Sequence, residues 1–189
     1  MAKGAPRGRR SVPKSRQMVS KLNKQNFIGK KFVAKYMTKG YYDIQRISNG
    51  FEFVYKKFNE EKEFSFEDTF FGEWLEEPVA YGVYEDEKLV GFVEGTHEKW
   101  NNRFRISNIC VFEAGKRHAG IGTTLMETIL QEAKQSGARM VVLETQTCNE
   151  NAIAFYKKNG FEIIGFDLYS YSNEDPEKHE VRIEMGRKL

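Results

Sequence analysis

In the middle of the chain, apolar residues lie two or three positions apart before residue 112 and four positions apart after residue 120. Ile106, Ile109 and Val111 lie close together and predict a buried strand. Beyond residue 120 the apolar positions recur along a single helix face, at Ile121, Leu125, Ile129 and Ala133. A segment containing glycine joins the two patterns, so the sequence predicts a strand, a turn and an amphipathic helix in that order.

Elsewhere the hydrophobic pattern predicts short strands separated by turn signals such as Ser48-Asn49-Gly50. The predicted strands fall at 41–47, 51–55, 79–84, 89–94, 96–100, 105–112 and 140–143. Apolar residues within 25–37 indicate a short helix at the entrance to the domain. Another helix is predicted from near Cys148 to Asn159, because Thr147 and Glu150 have the spacing of a capping box and Gly160 follows.

Charge divides the chain into two parts. Residues 1–42 contain twelve Lys or Arg and no acidic residue, and the remainder holds 18 basic and 27 acidic residues, a net charge of −9. Residues 1–16 have almost no apolar content and are predicted to be disordered. Without aromatic residues among its arginines, this leader is read as solvated in preference to a nucleic-acid-binding arm. We therefore predict a basic leader and entrance segment over 1–40 and one domain over 41–189.

The composition favours a protein of the cytoplasm. No run of about 18 apolar residues and no apolar signal segment is present, so membrane insertion or secretion is not predicted. The two cysteines, Cys110 and Cys148, suit reduced thiols. The histidines lack metal-ligand spacing, and no metal site is predicted. The oligomeric state is left open, with a homodimer among the options.

The turn before the long helix has the features of a phosphate-binding cradle. Gly120 and Gly122 lack a Cβ, so the backbone can approach a phosphate at the positive end of the helix, and Lys116 and Arg117 add positive charge. The glycine spacing excludes a Walker loop, and Leu125 stands where a dinucleotide-binding fingerprint needs its third glycine.

Two ordered motifs resemble those of the GNAT superfamily of N-acetyltransferases. The first, Arg117-x-x-Gly120-x-Gly122, is similar to its acyl-CoA-binding signature. The second matches the pattern Asn-x-x-Ala-x-x-Phe-Tyr-x-x-x-Gly-Phe at Asn149, Ala152, Phe155, Tyr156, Gly160 and Phe161. The resemblance covers roughly residues 41–189. It implies an α/β (α+β) fold of the GNAT type, with a central mixed, mostly antiparallel sheet flanked by helices.

The resemblance implies acetyl-CoA as the cofactor, with its pyrophosphate on residues 116–124 and its pantetheine arm along the cradle strand. The cofactor-binding candidates are Ile109, Cys110, Val111, Lys116, Arg117, His118, Ala119, Gly120, Ile121, Gly122, Thr123, Thr124, Asn149 and Tyr156. The implied reaction is direct acetyl transfer to an amine, with no metal, Schiff base or acyl-enzyme.

Two catalytic roles follow. The resemblance implies that the Tyr156 phenol protonates the departing coenzyme A thiolate, with a tyrosine that only packs as the alternative. Glu144 is our candidate base for the amine, with ordered water as an alternative carrier of that proton. Cys148 at a helix start is a further candidate nucleophile, although the sequence places no histidine beside it.

Within the superfamily the chain looks like the streptothricin acetyltransferases, which acylate an amine of a polycationic antibiotic. The residues that carry this resemblance and are candidates for binding the acceptor are Trp100, Asn101, Glu144, Asp167 and Tyr171. The chain departs from that group at Ser107-Asn108, where those proteins carry an acidic pair. An acidic and aromatic segment at 60–74 is a candidate wall for a cationic small-molecule amine, although a solvated charged face also fits it.

Other functions are left open by the sequence. An acetyltransferase for protein N-termini, polyamines or another amine fits the same motifs. A catalytically silent acyl-CoA-binding module, whose basic leader engages RNA or a protein partner, is the alternative from a different class. The presence of Asn149 and Tyr156 favours an enzyme.

Overall fold

Nine strands and four helices make up the fold, which we describe from a computed structural model over residues 18–112 and 120–189. The strands are β1 (Met18–Lys21), β2 (Lys31–Ile47), β3 (Gly50–Thr69), β4 (Val79–Glu85), β5 (Lys88–Glu98), β6 (Arg103–Val111), β7 (Met140–Gln146), β8 (Glu162–Asp167) and β9 (Arg182–Lys188). The helices are α1 (Lys24–Phe27), α2 (Ile121–Gln135), α3 (Glu150–Lys158) and α4 (Asp175–Lys178).

Seven of the strands form one mixed sheet in the order β1-β4-β5-β6-β7-β9-β8. Every neighbouring pair is antiparallel except β6 and β7, which are parallel and are joined through α2. The predicted fold class, a mixed and mostly antiparallel sheet with flanking helices, is confirmed.

A hydrophobic core lies on each face of this sheet. On the first face α2 and α3 pack against the strands, and the four residues predicted to form the buried face of α2 are all 0% exposed. On the second face α1 and the open end of the β2–β3 pair cover the sheet, with Phe32, Phe70 and Phe92 at the centre. Successive residues of a strand point to opposite faces, so Phe92 belongs to the second core and Val93 to the first.

Strands β2 and β3 form a separate long hairpin that wraps around one end of the sheet. Phe32 lies in the second core, whereas Tyr42 and Phe53, farther along the hairpin, pack against the first. At Tyr42 the hairpin is hydrogen bonded to the chain that follows β7, because the Tyr42 amide donates to the Thr147 carbonyl at 3.1 Å. The hairpin thereby passes the C-terminal end of β7.

The N-terminal part of the fold differs from the prediction in two ways. The short helix predicted at 25–37 is limited to α1, because residues from Lys31 onward pair with β3. The predicted domain boundary at 40/41 falls inside β2, and residues 18–40 carry β1, α1 and half of β2. These residues are integrated by long-range pairing, of β1 with β4 and of β2 with β3, which local composition does not reveal. The leader 1–16 lies outside the described residues.

Helix α3 ends where the sequence predicted and begins differently. Asn149 is its N-cap, since its side chain accepts a hydrogen bond from the Ala152 amide. The predicted capping box of Thr147 and Glu150 is wrong. The Thr147 hydroxyl donates to the His179 carbonyl at 2.7 Å, and the Glu150 carboxylate accepts from the Lys39 amide at 2.6 Å. Both side chains are taken by tertiary contacts.

Among the helices of the described segments, none is both long enough and apolar enough to cross a membrane.

The hairpin offers a test of this packing at Gly40, where β2 shifts its register against β3. A Cβ at Gly40 would lie 2.4 Å from the Lys56 carbonyl oxygen, so Gly40→Ala should lower the free energy of unfolding by roughly 1–3 kcal/mol, as overpacking usually does. Gly165→Ala is the control, because its Cβ would have no neighbour closer than 4.0 Å. Urea denaturation measures both, and equal stability of the two variants would contradict the close packing at Gly40.

Candidate active site

The parallel strands β6 and β7 separate before either of them ends. Their pairing runs from Arg103–Met140 to Ile106–Leu143. Beyond this point β6 remains paired with β5 as far as Val111, and β7 remains paired with β9 as far as Gln146. A gap therefore opens between the C-terminal halves of β6 and β7, and we call it the β6–β7 gap. Ile109, Cys110 and Val111 lie on its β6 side.

A β-bulge marks the start of the β6–β7 gap. Ile106 is opposite Gly95 and Asn108 is opposite Glu94, so Ser107 is an extra residue in β6. Bulges bend a strand and are frequent next to active sites. Because β6 bends at the residue where its pairing with β7 stops, the bulge accounts for the divergence of the two strands.

Helix α2 presents its positive end next to the C-terminal end of β6. Gly120 is its N-cap in the left-handed conformation, with φ of 85°, and among the described residues no side chain caps this end. Within the described part of the chain, a Cβ at Gly120 would have no neighbour within 4 Å, and one at Gly122 would touch only the Phe155 ring at 3.5 Å. Thr123 is exposed, while the Thr124 hydroxyl donates to the Gly120 carbonyl. The first turn thus has free N–H groups and room for an anion.

Part of the predicted cradle lies outside the described residues. Lys116, Arg117, His118 and Ala119 belong to the segment 113–119, and their role in binding the cofactor stays a prediction. Ile121, also predicted to bind the cofactor, is fully buried in the first core, so it can contribute only through its backbone.

Tyr156 approaches the β6–β7 gap from the first face of the sheet. It lies on α3 among Phe155 and Phe161 and is 7% exposed. Burial raises the pKa of the Tyr156 phenol well above its usual value, and the nearby Cys110 thiol of β6 raises it further. The phenol is therefore protonated at neutral pH and able to donate. Asn149, half-buried at the other end of the helix, uses its side chain as the N-cap.

Glu144 lies on the opposite face, at the mouth of the β6–β7 gap. It is the first residue of β7 beyond the paired segment, and it points away from the face that carries Leu143. Its carboxylate forms an ion pair with the Arg182 guanidinium at 2.9 Å. Tyr171 also hydrogen bonds to Glu144, and burial raises the pKa of Tyr171 to about 12. The structure thus brings together two of the predicted acceptor-binding residues.

The other predicted acceptor-binding residues lie elsewhere. Trp100 is 84% exposed in the turn between β5 and β6, and Asn101 accepts from the Arg103 amide in the same turn. The Asn101 side-chain amide donates to the Glu98 carboxylate at 3.1 Å, and Glu98 pairs with Arg105, which also pairs with Glu184 of β9. The role of Trp100 and Asn101 in binding the acceptor stays a prediction. Exposed Asp167, at the end of β8, accepts from the Tyr169 amide and is opposite Arg182.

The predicted acidic wall at 60–74 is mostly engaged in pairing within the hairpin. Glu63 and Glu67 form ion pairs with Lys35 and Lys31 of β2, and Phe70 is in the second core. Asp68 is different, since its carboxylate accepts from the Asn108 side-chain amide at 3.1 Å, beside the bulge.

One acidic residue near the β6–β7 gap was missed by the sequence analysis. Glu94 of β5 is 0% exposed, and its carboxylate accepts from the Ser107 hydroxyl at 3.0 Å and the Phe71 amide at 2.6 Å. Burial raises the pKa of Glu94, and nearby Asp68 adds to the shift, while the donors Phe71, Ser107 and Asn108 oppose it. The one feature of the sequence that could have identified Glu94 is its position directly after the apolar run 89–93.

Cys148 and metal chemistry have little support in the described residues. The Cys148 thiol is fully buried 3.3 Å from the Tyr36 hydroxyl, and burial raises its pKa to about 11, so it is protonated and a poor nucleophile. Residues 18–112 and 120–189 contain no group of three or more His, Cys, Asp or Glu side chains that could hold a metal ion.

The arrangement as a whole can support acyl transfer between two sides of a sheet. A proton donor, Tyr156, lies on the first face near Cys110 of β6, the Glu144 carboxylate lies at the mouth of the gap on the other face, and the N-terminus of α2 lies beside it. A thioester placed in the gap would have an acid on its sulfur side and a base on the side open to an amine.

Comparison with known proteins agrees with this geometry. The sequence profile of the acetyltransferase (GNAT) family matches residues 45–161. Streptothricin acetyltransferase of Escherichia coli is 32% identical over 106 residues, which are 56% of this chain and 60% of that protein. N-alpha-acetyltransferase 50 of Danio rerio is 32% identical over 117 residues, 59% of this chain and 68% of that protein.

A solved structure from Bacillus anthracis str. Ames, in complex with acetyl coenzyme A, has the same fold. It superposes with a TM-score of 0.71 and 23% identity, covering 93% of this chain and 98% of that one. The matches to curated streptothricin acetyltransferases span about 60% of the length of those relatives. The matched profile covers more than half of the chain, and its residues include both the β6–β7 gap and Tyr156. The chain belongs to the acetyltransferase (GNAT) family.

Proposed function

We propose that this protein transfers the acetyl group of acetyl-CoA to a primary amine of a cationic small molecule of the streptothricin type. The observation that carries the proposal is the β6–β7 gap, with the protonated Tyr156 phenol on one face and carboxylates on the other. The similarity to streptothricin acetyltransferases supports the antibiotic as acceptor. The related N-alpha-acetyltransferase supports protein N-termini as the second candidate acceptor.

The described residues fit acetyl-CoA. The free N–H groups at the start of α2 and the open space at Gly120 suit the pyrophosphate. The pairing of β6 with β7 ends at Ile106–Leu143, and the β6 strand beyond it suits the pantetheine amides, which would add to it as a strand does. When bound, acetyl-CoA supplies an acetyl group activated as a thioester.

The residues of this chain then have two proton transfers to perform. The amine nitrogen attacks the thioester carbonyl, so the amine must lose a proton and the departing sulfur must gain one. Tyr156, kept protonated by burial, donates to the sulfur. Glu144 stays our sequence-based prediction for the amine proton. Its ion pair with Arg182 at 2.9 Å uses one of its two carboxylate oxygens.

A screen of acceptors tests the function itself. Release of free thiol from acetyl-CoA is measured with streptothricin, polyamines and N-terminal peptides. Turnover of streptothricin at the highest kcat/KM supports the proposal. Turnover of peptides above all other acceptors would replace it by the second candidate, and thiol release with none of them would reject enzymatic acetyl transfer to these amines.

The cofactor prediction concerns the two ends of α2. Gly120→Glu should weaken acetyl-CoA binding at least tenfold, because like charges about 4 Å apart near a protein surface repel by about 4 kcal/mol. Gly137→Glu is the matched control: Gly137, at the other end of the helix, also has a positive φ, 75°, and open space. Calorimetry measures both affinities. An equal loss in the two variants would assign the effect to backbone strain and remove the cradle.

The acid prediction concerns Tyr156. Tyr156→Phe keeps the ring that packs on Phe155 and Phe161 and deletes the donor. Turnover should fall by ~10²–10⁴, the usual contribution of general acid catalysis. Acetyl-CoA affinity, measured in parallel, should stay near that of the wild type, which assigns the loss to chemistry. A normal kcat across the pH range would show that Tyr156 only packs.

The acceptor prediction concerns charge. Asp68, Glu94 and Glu144 lie on the acceptor side, so a polycation should turn over faster than a neutral amine of similar size at low salt. The advantage should shrink as ionic strength rises above about 0.1 M, where the screening length falls to about 10 Å. Steady-state kinetics over a salt series measures this. A neutral amine that is the faster substrate at low salt would contradict the cationic acceptor.

A further inference from the structure

Glu94 occupies an unusual position for an acidic residue. It lies in the middle of the sheet, 0% exposed, on the second face together with Phe92. Acidic residues are rarely buried unless a partner compensates them, and here the partners are hydrogen-bond donors in place of a cation. The Phe71 amide donates to one carboxylate oxygen at 2.6 Å, and the Ser107 hydroxyl donates to the other at 3.0 Å.

Ser107 connects this buried carboxyl with the β6–β7 gap. It is the extra residue of the bulge and the first residue of β6 beyond the pairing with β7. Unlike Glu94, it is half-buried. Ile109, predicted to contact the thioester arm, follows two residues later on the same strand.

The position also bears on the sequence departure at Ser107-Asn108. The chain lacks an acidic pair at these two positions of β6. Two carboxyl groups reach them instead, one from β5 and one from β3 of the hairpin. Glu94, on β5, contacts Ser107. Asp68, near the end of β3, accepts a hydrogen bond from the Asn108 side-chain amide at a distance of 3.1 Å. Acidic groups are therefore present at the bulge although β6 itself supplies none.

We propose that Ser107 and Glu94 form a proton relay that takes the proton from the acceptor amine. The inference rests on the proposed acetyl transfer and deepens it. As the amine nitrogen forms its bond to the carbonyl carbon, its proton passes to the Ser107 oxygen and the Ser107 proton passes to Glu94. The carbon–sulfur bond breaks and the thiolate takes the Tyr156 proton. Glu94 then returns its proton to solvent through Ser107, and Tyr156 is reprotonated from solvent.

The environment of Glu94 suits a proton acceptor. Burial raises the pKa of Glu94, and Asp68, the charged group that faces it from β3, raises it further. The hydrogen-bond donors around it are Ser107 and Asn108 of β6 and the Phe71 amide in the turn after β3. A carboxylate that is costly to keep ionised binds a proton more readily than an exposed one. Unlike Glu144, it is not held in an ion pair in the described structure.

The rival explanation is that Glu94 only anchors the hairpin. Phe71 has a positive φ of 55°, and its bond to Glu94 fixes the end of β3 on the sheet. The two explanations predict opposite changes in stability for the Glu94→Gln variant. A carboxyl with a raised folded pKa contributes less stability as pH rises from its unfolded pKa through its folded pKa, so Glu94→Gln should leave the melting temperature at pH 7 unchanged or higher. An anchor that needs the charge predicts a lower one.

The experiment compares kcat/KM for the acceptor, at saturating acetyl-CoA, for the wild type, Glu94→Gln and Ser107→Ala over pH 5–9. The amine titrates equally in all of them, so the ratio of wild type to variant isolates Glu94. This ratio should rise with pH toward ~10²–10⁴ as Glu94 ionises. The double variant should lose no more than the worse single variant, because the two act as one unit.

Two comparators complete the design. Glu132→Gln changes a carboxyl of α2 that accepts a hydrogen bond from the Tyr81 hydroxyl of β4, on the first face of the sheet, and should give a ratio near one at every pH. Glu144→Gln directly tests the residue that the sequence predicted as the general base. If Glu94→Gln does not fold, Ser107→Ala gives the same readout.

The outcomes separate the relay from the function it rests on. An active wild type with a pH-independent ratio near one for Glu94→Gln and Ser107→Ala overturns the relay alone. A pH-dependent loss found only in Glu144→Gln also overturns it and assigns the base to β7. A wild type that acetylates none of the amines overturns the proposed function, and the relay with it.

Discussion

The early end of the pairing between β6 and β7 is the constraint on which the rest of the site depends. The two parallel strands share only the segment that ends at Ile106–Leu143, and each continues with its other neighbour. Backbone groups of β6 thus remain available in the middle of a sheet, where they are normally used up by the adjacent strand. The bulge at Ser107 makes the divergence possible without breaking the β5–β6 ladder.

Because the gap interrupts a sheet, groups from both faces meet in it. Tyr156 reaches it from α3 in the first core, and the carboxylates of Glu94 and Glu144 belong to the second face. In the proposed reaction the two proton transfers would occur on opposite sides of the bond being exchanged. Burial acts on both in the same direction, since it raises the pKa of the Tyr156 phenol and of the Glu94 carboxyl. A neutral donor and a proton acceptor are both favoured.

The hairpin of β2 and β3 links the two faces. Its open end lies in the second core, it passes the chain after β7, and its farther part packs on the first core. Three of its seven acidic side chains, Asp43, Glu63 and Glu67, form ion pairs with its own lysines, as in the Lys31–Glu67 pair at 2.6 Å. The uneven charge of the sequence is therefore partly cancelled in the fold, and Asp68, which turns toward the bulge, retains the contact with the site that the sequence attributed to the whole segment.

The sequence by itself determined those features that depend on neighbours along the chain. The buried face of α2 follows from its periodicity, whereas the mixed sheet and the positions of Gly120 and Tyr156 were implied by the family resemblance that two short motifs carry. The tertiary structure decided the rest. Strand pairing joined residues 18–40 to the domain and replaced the predicted helix beyond Lys31 by a strand, and it placed Trp100 and Asn101 in the turn before β6. Glu94 reaches Ser107 only through the register of β5 against a bulged β6, and one extra residue in a strand has no signature in local composition.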